Sequence, residues 1–103
     1  MARATADFLH GDAEMQSETL FDYVSLIFGR DGSAYLPRAC VAETSDGRCR
    51  VWIEFVPVGR GPVLRSALET IRGDRRDAAT WALSLSSERL ATGINEARHW
   101  ASV

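Results

Sequence analysis

Arg60, Arg72, Arg75 and Arg76 are the residues of this chain best placed to do chemistry. Arg60 stands in the run Gly59-Arg60-Gly61-Pro62, and the other three surround Asp74 at the start of a predicted helix. Guanidinium groups beside the free N–H groups of a helix start hold phosphate or carboxylate through charge-assisted hydrogen bonds. Two cations in a first helical turn also oppose the helix dipole, so an anionic partner would relieve them. These four arginines form a candidate anion site. The competing reading is a set of solvated charges balanced by Asp74 and Asp77.

Arg48, Arg50 and Trp52 alternate along one predicted strand, with Tyr35 nearby. Cations interleaved with aromatic rings on a sheet suit a platform for single-stranded nucleic acid. Glu43 and Glu54 fall among them, and the chain carries 14 acidic against 12 basic residues, a net charge of −2. That balance supplies no general attraction to a polyanion, so weak nucleic-acid binding ranks below the other readings.

Other chemistries lack parts. All of the basic residues are arginine, as in proteins of GC-rich bacterial genomes. Without lysine there is no Schiff-base enzyme, lysine general base or P-loop phosphate clamp. No G-x-S-x-G is present, and Ser84, Ser86 and Ser87 read as helix-terminal residues. Cys40 and Cys49 are expected to point inward as small hydrophobes, and the histidines, His10 and His99, lie near opposite ends of the chain. His10, Asp12 and Glu14 offer metal ligands without the close pairs of a structural zinc site. No catalytic residue, metal or cofactor is assigned.

The elements that must position these residues are legible in outline. Residues 1–19 are mixed and polar and form an N-terminal segment with a flexible character; residues 20–103 form a single α+β domain. Runs rich in Val, Ile, Phe and Tyr predict an antiparallel meander with strands over 20–29, 34–44 and 48–58. Residues 63–71 predict a fourth strand, with a helix as the alternative because Leu64, Leu68 and Ile71 also have helical spacing. Asp74 caps a helix over 75–85, and Ser86 or Ser87 caps a second over 87–99, so two C-terminal helices cover the sheet.

Asp31-Gly32 and Asp46-Gly47 are hairpin turns. Read as two-residue loops, they pair Phe28 with Tyr35 and Val41 with Trp52. One face then collects Phe21, Tyr23, Ile27, Leu36, Cys40, Ala42, Cys49, Val51, Ile53 and Phe55 as the core. A three-residue loop at either turn would invert one strand. The second face collects Val24, Leu26, Phe28, Tyr35, Val41, Trp52 and Val56, an apolar patch too large to leave wet, which either residues 1–19 or another chain must cover. The expectation that follows is a non-enzymatic interaction module acting as a homodimer through this face, in which Trp52→Glu gives a folded monomer. A small anionic-ligand-binding protein or enzyme using the four arginines is the alternative. The absence of a C-x-x-C pair and of an apolar run after Met1 points to the cytoplasm, with reduced thiols and no membrane partner.

Overall fold

The computed structural model describes residues 17–99. The expected N-terminal segment therefore lies outside the described residues as far as position 16, and His10 with it. The two Asp-Gly turns are the feature from which the rest follows. Both are three-residue loops: the Gly29 N–H donates to the Ser33 carbonyl at 2.9 Å, and the Thr44 N–H to the Arg48 carbonyl at 2.8 Å. Only the glycines take positive φ, 86° at both Gly32 and Gly47. A two-residue type I′ turn needs positive φ at the aspartate as well. Here each aspartate stays in ordinary space and uses its carboxylate instead. Asp31 accepts the Ser33 N–H at 3.0 Å, and Asp46 accepts from the Thr44 hydroxyl and the Arg48 guanidinium.

The chain forms the α+β architecture expected. Strand β1 is Glu18–Asp22, β2 Ile27–Phe28, β3 Ala34–Glu43, β4 Cys49–Pro57 and β5 Leu64–Arg72; helices α1, Arg75–Leu83, and α2, Ser87–Asn95, follow, and β6 is Arg98–His99. The sheet is antiparallel, in the order β1-β3-β4-β5-β6 with β2 also on β3. The segment 63–71 is thus a strand, and it places Leu64 and Leu68 against the main core.

Each longer turn moves its hairpin by one residue. Ile27 faces Tyr35 rather than Leu36, and Trp52 faces Cys40 rather than Val41. The side-chain period of a strand is two, so one slip exchanges its faces. The two slips cancel between β2 and β4, which keep the faces predicted for them. The middle strand alone is inverted. Tyr35 and Val41 pack in the cores on the helix side, whereas Cys40 and Ala42 pack with Trp52 in a separate cluster. Leu36, paired with Val56, also lies on the face away from the helices.

Pro37 explains why 20–29 is not one strand. Its carbonyl accepts the Tyr23 N–H at 3.1 Å. It has no N–H to return, so the ladder lapses there and resumes at Ile27. Tyr23 leaves the sheet and donates its hydroxyl to the Ala82 carbonyl at 2.7 Å.

The helices start where capping chemistry places them. Asp74 accepts the Asp77 N–H at 2.8 Å, and Ser86 accepts the Arg89 N–H at 3.1 Å. The second helix is shorter than 87–99. It ends at Asn95, and Arg98 and His99 pair with Arg65 and Leu64 at the sheet edge, which satisfies their backbone groups without helical bonds. Gly93 lets α2 approach β5 closely: a Cβ there would stand 2.8 Å from Leu68 Cδ1.

Candidate functional site

The four arginines do not meet. Arg60 lies in the β4–β5 loop, and Arg72 closes the far end of β5. Eight strand steps of roughly 3.3 Å put about 26 Å between the two ends of that strand. Arg75 and Arg76 begin α1 at the Arg72 end. Of these, Arg75 is bound to Glu18 at 2.9 Å. Arg72 has a buried Nε with no hydrogen-bond acceptor among the described residues. What the sequence groups as one cluster is a lone arginine at one end of the sheet and three at the other.

A cavity of about 280 Å³ opens beside Arg75, lined by Glu18, Val41, Ala42, Glu43 and Cys49. Its single cation is engaged by Glu18, so its mouth is acidic rather than anion-seeking. Burial pushes the Cys49 thiol up, away from the reactive thiolate. Cys40, on the opposite face, is pushed up to about 12 by burial and then by the charge of Glu54. Neither cysteine has the environment of a nucleophile. Among the described residues no three His, Cys, Asp or Glu side chains gather as a metal site. No described helix is long and apolar enough to cross a membrane.

The second sheet face divides into two zones. At its centre Trp52 is 1 % exposed. The Arg65 guanidinium lies 4.3 Å from its ring centroid, and the indole N–H donates to Glu54 at 3.0 Å. Arg65 is also hydrogen-bonded to Glu69 at 3.1 Å, and Arg50 stands 4.0 Å from the same carboxylate. Arg48 is held by Asp46 at 2.9 Å. The Arg48, Arg50, Trp52 grouping is therefore a charge lattice over an enclosed ring, and Trp52 presents no open surface on which a base stacks.

The other zone is an apolar corner. Phe28 pairs with Ala34, Leu36 with Val56, and the Val58 N–H donates to the Ala34 carbonyl. These pairings bring Phe28, Leu36, Val56 and Val58 to one end of the face. Leu26 lies immediately before β2. Phe28 and Val58 are each 59 % exposed and Leu26 48 %. Val24, 94 % exposed, stands in the connection that leads to β2. Of the residues grouped by sequence as an interface, Phe28 and Val56 are at this corner, while Val24 and Leu26 lie in the connection before β2. Tyr35 and Val41 go to the helix side and Trp52 beneath Arg65. Leu36 and Val58 belong to the corner and were missed.

Compared with protein-family models, curated proteins and solved structures, the chain matches none.

Proposed function

We propose that this chain is a small bacterial interaction module without catalytic activity, which acts in the cytoplasm as a homodimer joined at the apolar corner. The observation that carries the reading is the exposure of Phe28, Leu36 and Val58 together at one end of the sheet face away from the helices. Clustered apolar surface of this kind is characteristic of an interface, because each buried Å² of it is worth roughly 25 cal/mol. Reduced Cys40 and Cys49, neither with a disulfide partner, fit a reducing compartment. The arginine-for-lysine composition fits a bacterial source.

Light scattering on a sizing column, over a hundredfold range of concentration, tests this directly. The expected result is a dimer mass that falls to a monomer mass in Phe28→Glu, with circular dichroism unchanged. A wild-type chain that is monomeric at every concentration overturns the reading. Trp52→Glu is not the variant to use, since it would bury a carboxylate at a position 1 % exposed.

A further inference from the structure

A second cavity, of about 240 Å³, opens on the helix side of the sheet, where β2 turns into β3. Arg30 and Asp31 line it from that turn, Tyr35 from β3, Leu64 from β5, and Ile94 and Asn95 from the last turn of α2. Ile94 belongs to the main core, and Tyr35 and Leu64 are half-buried against it, so the floor is apolar and built.

Three polar side chains around this floor have no partner among the described residues. The Arg30 guanidinium makes no hydrogen bond or ion pair there, whereas Arg38, Arg48, Arg65 and Arg75 each meet a carboxylate. The Tyr35 hydroxyl is likewise without a bond, although the hydroxyl of Tyr23 donates to the Ala82 carbonyl. The Asn95 carboxamide is the third. Asp31 is not available to a ligand. It accepts the Ser33 N–H at 3.0 Å, and that bond, first, then one from the Ser33 side chain, hold its carboxyl below the usual range.

The free groups are donors: guanidinium, phenol and carboxamide all offer N–H or O–H. A few convergent polar groups over an apolar floor make up a small-molecule site. A guanidinium with unspent N–H groups takes a carboxylate in a bidentate fork. Size bounds the rest of the ligand. A cavity of about 150 Å³ holds benzene, so a space of about 240 Å³ takes one ring with its carboxylate. Charge is bounded as well. The C-terminal end of a helix carries partial negative charge, which opposes a dianion. For a single charge that opposition is moderated, because the Gly93 and Ile94 carbonyls already accept the Glu96 and Ala97 N–H groups at 3.1 and 3.2 Å.

We propose that this cavity binds a small organic monocarboxylate, its carboxylate held by Arg30 with Tyr35 and Asn95, its apolar body resting on Leu64 and Ile94. The site is distinct from the arginines at 60, 72, 75 and 76, and it lies on the face opposite the apolar corner, so it stands whether the chain is a monomer or a dimer.

An NMR titration of the full chain with benzoate, resolved by backbone amide, tests it, with benzamide and inorganic phosphate as controls. Benzoate should move the Arg30, Tyr35 and Asn95 amides along one saturable curve. The expected dissociation constant is about 1 mM or below, the range open to so small a ligand. Phenylacetate should shift the same amides. Arg30→Gln should weaken benzoate binding at least about tenfold, and Tyr35→Phe about threefold, the losses expected for a charged and a neutral hydrogen bond. Arg30 is exposed and holds no described residue in place, so its variant should keep the wild-type spectrum elsewhere. Absence of a saturable shift with both carboxylates overturns the proposal. So does benzamide binding as tightly as benzoate, phosphate moving the same amides as strongly, or Arg30→Gln binding benzoate as the wild type does.

Discussion

Trp52 and Phe28 lie on the same face of one sheet, yet the protein treats them in opposite ways. Trp52 belongs to β4, which has a strand on either side, Cys40 across from it on β3 and Glu69 on β5. Arg65 reaches over its ring from β5. Phe28 belongs to a two-residue strand on the rim, with β3 as its partner and Ala34 as the residue across from it. Long charged side chains close over apolar surface when neighbouring strands supply them, because their methylene stems pack while the heads stay wet. The comparison teaches that the rank of a strand within the sheet, more than the residue's own hydrophobicity, decides whether a ring on an uncovered face is enclosed.

The largest effect that would break this contrast is removal of the enclosed ring. Trp52→Ala should cost about 3–5 kcal/mol, the usual range for deleting a buried aromatic side chain. Against a total stability of about 5–15 kcal/mol for a domain of this kind, that loss shows plainly in urea denaturation. A loss below about 1 kcal/mol would mean that the ring is not enclosed. Next in size is Arg65→Ala, which removes the cation over the ring and the bond to Glu69. A loss of about 1–2 kcal/mol is expected, with red-shifted tryptophan emission. At the corner, Phe28→Glu should leave stability within about 0.5 kcal/mol of wild type while abolishing self-association. Equal destabilisation by Phe28→Glu and Trp52→Ala would erase the distinction between the zones.

The smallest effect concerns the turn at the opposite end of the sheet from Phe28. Bonds from the Thr44 hydroxyl, first, and then from Arg48 hold the Asp46 carboxyl down at about 2. A folded-state pKa below the unfolded one means that the charged form favours the native state. Its contribution is complete above about pH 4 and is lost as pH falls toward 2. Melting temperatures of wild type and Asp46→Asn, taken between pH 5 and pH 2, should therefore converge toward the acid end. Curves that stay parallel across that window would remove the carboxylate from the turn's stability.

Much of the secondary structure was legible because its signals are local. Asp74 and Ser86 begin helices, since an N-cap is settled within three residues of chain. The segment 63–71 was divided between strand and helix by periodicity, and pairing with β4 decided it. The helix assigned over 87–99 ran too far because the partner that takes up Arg98 and His99, the edge of β5, is more than thirty residues away in sequence. The apolar corner was partly legible: Phe28 and Val56 were grouped by the sequence, whereas Leu36 and Val58, which the pairing brings beside them, were not.

The sequence by itself determined that the chain has two hairpins turning at Asp31-Gly32 and Asp46-Gly47, a β-rich first half and two capped helices. Tertiary structure alone decided which face of β3 turns inward. Asp-Gly fits a two-residue loop and a three-residue loop equally well, and the difference of one residue exchanges every side chain of the strand. Composition offered no veto, because β3 alternates Tyr35, Ala39 and Val41 with Leu36, Cys40 and Ala42, apolar on both sides. The helices settled it by packing Ala78, Ala82, Leu90 and Ile94 against one of those sides. The arginines were separated by the same kind of cause, since adjacency in a list of residues carries no distance until a strand of fixed rise is laid between them.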